Sequence, residues 1–236
     1  MGGVGQVADA LAKELNITRE EQDELAYTSH ARAVNAQREG HYTDQIIPIA
    51  VKNKQIATDE HPRADTTLES LRTLPPAFSK DGTVTPGNSS AINDGAAAIV
   101  LATEKACKEN GLKPLASVGV WSIVAREPRY VGLAPVGAIR NILTESRLSL
   151  ADIDLIEMNE AFAAFYLACE KEMKLDRSKV NVNGSGISLG HPVGATGARI
   201  TITLLYEMMR RNAALGISSL CAGGGMGYAI LLRRDF

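Results

Sequence analysis

From Ala116 onward the chain repeats one pattern, an apolar run followed by a longer stretch with apolar residues three and four apart. Residues 116–124 lead into 135–146, 153–158 into 161–173, and 180–182 into 195–211. Two more apolar runs, 216–221 and 226–232, close the pattern. Alternating strand and helix periods predict βαβ units, hence an α/β fold with a mostly parallel sheet covered by helices. In such sheets ligands gather beyond the carboxyl ends of the strands. Asn159, His191 and Cys221 are each expected just after a strand end, so they can converge although distant in sequence.

The context of these three residues sharpens the expectation. His191 lies in Asn183-Gly-Ser-Gly-Ile-Ser-Leu-Gly-His-Pro-Val-Gly-Ala-Thr-Gly-Ala-Arg199, which holds five glycines. Glycine adopts backbone conformations closed to other residues and lets main chain approach a ligand closely. The stretch predicts a strand-to-helix turn presenting His191 near a helix start, where free amides favour negative charge and disfavour imidazolium. Asn159 opens Asn-Glu-Ala-Phe-Ala163, where an ordinary turn or cap role is the plain alternative. Cys221 opens Cys-Ala-Gly-Gly-Gly225. A free cysteine is usually a small buried hydrophobe, which is how Cys107 and Cys169, both in helical stretches, are read.

Composition narrows the function classes. Of 236 residues, 45% are hydrophobic and 22% charged, enough for a packed core. A net charge of -2 gives no field that would draw nucleic acid or an anionic membrane. No apolar run is long enough to span a bilayer, and Met1-Gly-Gly-Val has no basic leader, so a cytoplasmic protein is expected. Three cysteines without paired spacing predict reduced thiols and no metal site. Gly184 and Gly186 invite a dinucleotide reading, but the third glycine of G-x-G-x-x-G is Leu189 and no acidic residue follows at the required distance. No P-loop occurs.

The first hundred residues are less regular. Residues 6–15 read as a helix, and Thr18-Arg-Glu-Glu21 is a capping box opening a second helix that ends at Gly40. A strand is expected at 46–51, a polar turn-rich stretch at 52–65 and a helix at 68–74, ended by Pro75-Pro76. Residues 87–95 are turn formers. The apolar run 96–102 predicts a buried strand, followed by a helix at 103–110 closed by Gly111.

Together, Asn-Glu-Ala-Phe, Gly-His-Pro and Cys-x-Gly-Gly-Gly resemble the C-terminal signature set of the thiolases, the acyl-CoA C-acyltransferases. Asn159 with Cys221 favours the degradative or biosynthetic thiolases over the sterol-carrier type and the condensing ketoacyl synthases. The resemblance implies a thiolase-like fold. Residues 1–92 would be part of the loop domain, 93–113 the last strand and helix of the N-terminal domain, and 114–236 a complete βαβαβαββ C-terminal domain. It implies reversible Claisen chemistry on acyl-CoA and coenzyme A, with no permanently bound cofactor. Cys221 would be the acid/base. His191 would activate the nucleophilic cysteine and donate to the thioester oxygen, completing an oxyanion hole with a water held by Asn159. Gly223 would lend its amide to a second oxyanion hole. Phe162 would wall the acyl pocket, and Ser90, Phe78, Arg63 and Met1 would line the coenzyme A tunnel. Glu160 is expected to serve a helix start.

A thiolase carries its nucleophile in an N-terminal half with no counterpart in this sequence. The expectation is therefore an incomplete reading frame, inactive alone and homo-oligomeric when complete. Residues 96–102 would then lack neighbouring strands and expose apolar side chains. The alternatives are a non-catalytic CoA- or acyl-binding module and an association subunit of a split thiolase.

Overall fold

A computed structural model describes residues 3–234. Two helices open the chain, α1 (Val4–Glu14) and α2 (Arg19–Arg38). The capping box forms as expected: the Glu21 amide donates to Thr18 Oγ1 at 3.1 Å, and the Thr18 amide donates to Glu21 Oε2 at 2.7 Å. The strand expected at 46–51 shrinks to β1 (Ile49–Val51), paired with β2 (Lys54–Ile56) in an exposed antiparallel hairpin. Short helices α3 (Leu68–Arg72) and α4 (Glu104–Glu109) follow, each N-capped by a threonine.

Residues 96–102 correct one expectation. They form no strand, and Val100 and Leu101 are 91% and 76% exposed. A strand is completed by its neighbours' hydrogen bonds, and no described strand lies beside this run.

The remaining elements are β3 (Ser117–Ala125), α5 (Ala134–Ser146), β4 (Leu155–Met158), α6 (Ala163–Met173), α7 (Gly186–Leu189), α8 (Thr196–Arg211), β5 (Leu215–Ala222) and β6 (Met226–Arg233). The sheet order is β3-β6-β5-β4. Only β4 and β5 pair in parallel, so the expected mostly parallel sheet is a mixed one. The cause is the short turn at 223–225. Two strands joined so tightly must run antiparallel, and β6 inserts between β5 and β3. Gly224 and Gly225 make that turn with φ of 84° and 93°, a region costly for other residues.

The expected strand at 180–182 is reduced to isolated parallel bridges, Val180 with Ile156 and Val182 with Gly184. Asn181 sits at φ 48°; its amide still donates to the Ile156 carbonyl at 3.0 Å, and its side chain carries the pairing on to Met158. Its Oδ1 accepts from the Met158 amide and its Nδ2 donates to the Met158 carbonyl, both at 2.8 Å.

Helix α5 packs on β3, β6 and β5, while α8 packs on β5 and β4. Alternation along β6 separates the two faces: Ala229 and Leu231 join the core that holds Ile139 and Ile142 of α5, and Leu232 joins Leu204 and Met208 of α8. Helix α6 is buried along Ala163–Cys169 and is packed by α1 and α2. Beside α8, the sheet leaves a groove of about 390 Å³ lined by Trp121, Ile123, Leu220, Tyr228 and Ile230. Trp121 and Ile123 are 63% and 52% exposed there. No described helix is long and apolar enough to cross a membrane.

Candidate active site

Parallel pairing of β4 with β5 sets the site. Met158 lies opposite Ser219, so Asn159 and Cys221 leave neighbouring strands on the same side. The Asn159 amide donates to the Ser219 carbonyl at 3.0 Å, extending the ladder one step. Its side chain is buried, with Nδ2 3.4 Å from His191 Nδ1 and Oδ1 lacking any described hydrogen-bond partner.

His191 follows α7, not a strand as expected, and precedes α8 by five residues. The segment 88–93 fixes it in place. The His191 amide donates to the Ala91 carbonyl and to Asn93 Oδ1, both at 3.2 Å. Gly190, at φ 90°, is required here, since a Cβ would meet Asn93 Oδ1 at 2.3 Å. His191 Nδ1 lies 2.7 Å from Thr196 Oγ1 in the first turn of α8. Burial and the nearby Arg199 guanidinium hold the imidazole below the usual histidine range, so it is neutral near pH 7.

Cys221 is the penultimate residue of β5, inside the strand and not after its end as expected, paired with Gly227 across the turn. It packs against the main core, and burial pushes its thiol up to about 11. It is therefore a neutral thiol at rest. Gly223 is exposed in the turn, and a side chain there would meet nothing within 4 Å. Cys169 is buried and donates to the Gly132 carbonyl at 3.0 Å, a packed structural thiol. Cys107 lies on α4, none of whose residues is buried.

The expected tunnel residues divide. The Ser90 amide donates to the Ala161 carbonyl at 3.0 Å, and Phe162 stacks edge-on with Phe78 at 5.8 Å and with Phe165 at 5.2 Å. Ser90, Phe78 and Phe162 thus adjoin the Asn159 loop. Arg63 does not join them through its side chain. It is exposed, its amide donates to His30 Nδ1 at 3.2 Å, and its guanidinium makes no hydrogen bond or ion pair with a described residue. Met1 lies outside the described residues.

A buried charged layer beneath the site was not anticipated. Arg199 sits 3.6 Å from Glu157, and all three guanidinium nitrogens are buried without a described hydrogen-bond partner. Glu157 accepts from Ser185 Oγ at 2.9 Å. Burial raises its carboxyl to about 8, against the opposing pull of Arg199. A raised acid binds its proton more tightly when folded, so its contribution is complete below about pH 4.5 and lost as pH rises through about 8. Between about pH 5 and about pH 9 the chain should lose on the order of 3 kcal/mol relative to Glu157→Gln. Urea midpoints across that range measure it, and a pH-independent difference would contradict the burial account. Glu160, expected at a helix start, instead takes three buried donors: Ser29 Oγ, Asn181 Nδ2 and the Ile187 amide.

A mixed sheet clasped by α5 and α8, with Asn and His meeting beyond its strand ends, places the chain in the thiolase-fold class of α/β proteins. It belongs to the thiolase family: the family model for the thiolase C-terminal domain matches residues 112–234, and that for the N-terminal domain matches residues 2–105. The acetyl-CoA acetyltransferase of Pseudomonas aeruginosa is 46% identical over 98% of this chain and 60% of its own length. The crystal structure of the Bacillus anthracis acetyl-CoA acetyltransferase superposes with a TM-score of 0.94 at 52% identity, covering 98% of this chain and 59% of that one. Human mitochondrial 3-ketoacyl-CoA thiolase in complex with CoA gives a TM-score of 0.91 at 41% identity, covering 98% and 58%. The chain thus spans about 60% of the relatives it matches.

Proposed function

We propose that this chain supplies the acid/base and oxyanion groups of an acyl-CoA C-acyltransferase, and that the nucleophilic cysteine comes from outside these residues. The meeting of Asn159 with His191 beside the β5 end carries the reading. The CoA held by the human relative supports coenzyme A and acyl-CoA as substrates. Neither Cys107 nor Cys169 has the setting of a nucleophile, since Cys169 is buried and hydrogen-bonded and Cys107 rides an exposed helix.

In the cleavage direction, neutral His191 takes the proton of the nucleophilic thiol. The thiolate adds to the 3-keto carbon, and the Gly223 amide holds the oxyanion that develops there. As the C2–C3 bond breaks, the electron pair moves to C2 as an enolate whose thioester oxygen is held by His191 and a water on Asn159, and the Cys221 thiol delivers a proton to C2. The Cys221 thiolate is re-protonated by the incoming CoA, whose thiolate attacks the acyl-enzyme. The Gly223 amide holds the same oxygen in this second tetrahedral species, whose collapse expels the cysteine thiolate, and that thiolate takes its proton back from His191. A neutral Cys221 suits this direction, because the acid must hold its proton until C–C cleavage. Phe162 and Phe78 wall the acyl and pantetheine path, and Ser90 lies along it. Arg63 meets the nucleotide end from the surface.

The test is thiolysis of acetoacetyl-CoA by the purified chain, alone and joined to the part of the Bacillus anthracis relative that it does not span. The expected result is no turnover alone and turnover in the chimera. Turnover by the chain alone would place the nucleophile within it. A folded chimera that binds CoA without turnover would leave a CoA-binding module.

A second reading, an association subunit of a split enzyme, is favoured by the uncovered sheet face at Trp121 and Ile123 and by exposed Val100 and Leu101. It requires a stoichiometric complex, stable to dilution, with a separately supplied N-terminal half.

A further inference from the structure

We propose that Asn93 is a positioning residue that holds the Gly190–His191 peptide and so sets His191 against Asn159. Its kinetic consequence rests on the function proposed above; the contact itself does not.

The turn that presents His191 does not hold itself. Helix α7 ends at Leu189, and Gly190 follows at φ 90°. A glycine link leaves the next residue free to swing unless something outside the turn stops it. The His191 amide finds both of its acceptors elsewhere in the chain, the Ala91 carbonyl and Asn93 Oδ1, each at 3.2 Å. An amide can only donate, so it selects the oxygen end of the Asn93 carboxamide. The same side chain makes a second contact. A Cβ on Gly190 would meet Asn93 Oδ1 at 2.3 Å, Cγ at 2.5 Å and Nδ2 at 2.8 Å, so the whole carboxamide lies over the Gly190 backbone. Asn93 thus accepts from His191 and blocks the swing of Gly190 at once.

The surrounding segment gives this contact its purpose. Residues 92 and 94–96 are exposed, Ile92 at 98%, and Asn93 alone in that run turns inward. Just before it, main-chain bonds tie the segment to the Asn159 loop. The Ala163 amide donates to the Asn88 carbonyl at 2.9 Å, and the Ser90 amide donates to the Ala161 carbonyl at 3.0 Å. Just after it, Gly95 lies against Pro192, where a Cβ would meet the ring at 2.8 Å. Residues 88–95 therefore splint the Asn159 loop to the His191 turn. Among the described hydrogen bonds, Asn93 supplies the one side chain of the splint that reaches His191. A reacting group misplaced by about 1 Å can cost on the order of 100-fold in rate, so the splint bears on turnover without touching substrate.

The test compares Asn93→Ala, Asn93→Leu and Asn93→Asp. In the full chain, hydrogen exchange followed by NMR reads the His191, Ala163 and Ser90 amides. Asn93→Ala and Asn93→Leu should speed exchange at His191 by about tenfold and leave Ala163 and Ser90 unchanged, since those two bond through main chain. Asn93→Asp keeps an acceptor oxygen in place and should retain the protection. In the chimera, Asn93→Ala should lower kcat for acetoacetyl-CoA thiolysis by about 10- to 100-fold with KM within about threefold, and Asn93→Asp should regain most of it. If Asn93→Ala folds poorly, Asn93→Leu, which keeps the bulk, takes its place. Unchanged exchange at His191 in a folded variant, equal loss at all three amides, or a raised KM at unchanged kcat would overturn the proposal. A chimera inactive with Asn93 intact would remove the function proposed above, and the exchange comparison would still decide whether Asn93 holds His191.

Discussion

Cys221→Ser, introduced into the active chimera, should slow acetoacetyl-CoA cleavage by about 100- to 10,000-fold, the usual worth of a positioned acid/base. Acyl loading of the nucleophile from acetyl-CoA should fall much less. The difference follows from where the proton is needed. Loading a thioester requires His191 to activate the nucleophile and an oxyanion hole to hold charge, but no proton on carbon. Breaking the C–C bond leaves an enolate that must be protonated at C2. Cys221 holds its proton because burial raises the thiol to about 11. A serine hydroxyl occupies similar space but is a far weaker acid, so packing survives while proton delivery fails. Burst amplitude with acetyl-CoA and steady-state thiolysis measure the two steps separately. Equal loss in both, with thermal stability unchanged, would remove Cys221 from the acid/base role.

How much of this was legible in the sequence depends on the range of the determining contact. Helices α5, α6 and α8 were readable because their apolar spacing is local, whereas the single turn of α7 was not. The Thr18–Glu21 box formed as read. Parallel pairing was not readable in the same way, because the place of β6 between β3 and β5 is a long-range choice. The apolar run 96–102 had strand composition without strand neighbours, and composition cannot supply partners.

The site shows the same division. Asn159, His191 and Cys221 stood out because they interrupt apolar or glycine-rich runs. Asn93 did not, since an asparagine among turn formers is ordinary, and only its contact with the His191 amide gives it a task. Arg199 and Glu157 lie 42 positions apart in the numbering and meet only once α8 packs on β4. Asn181 read as part of a strand because its neighbours are valines, yet its side chain carries the pairing on to Met158.

Glu160→Ala should destabilise the chain by about 3–5 kcal/mol, more than any other single truncation around the site. The carboxylate is 2% exposed and lies where three elements meet. Ser29 of α2 donates to it at 2.7 Å, Asn181 at 3.0 Å, and the Ile187 amide of α7 at 3.3 Å. Truncation strands all three donors away from water, and the penalty for unsatisfied buried groups exceeds the net worth of the bonds. Asn181 spreads the damage, since the same side chain closes the ladder on Met158 next to Asn159. Glu160→Gln keeps one acceptor oxygen but turns an amide donor toward the remaining donors, so its loss should fall between zero and that of alanine. Urea unfolding of the three proteins at pH 7 gives the comparison. A loss below about 1 kcal/mol for Glu160→Ala would mean that water enters and satisfies the donors. The expected larger loss, with CoA binding weakened in parallel, would show that the layer beneath Asn159 and His191 is held by one carboxylate.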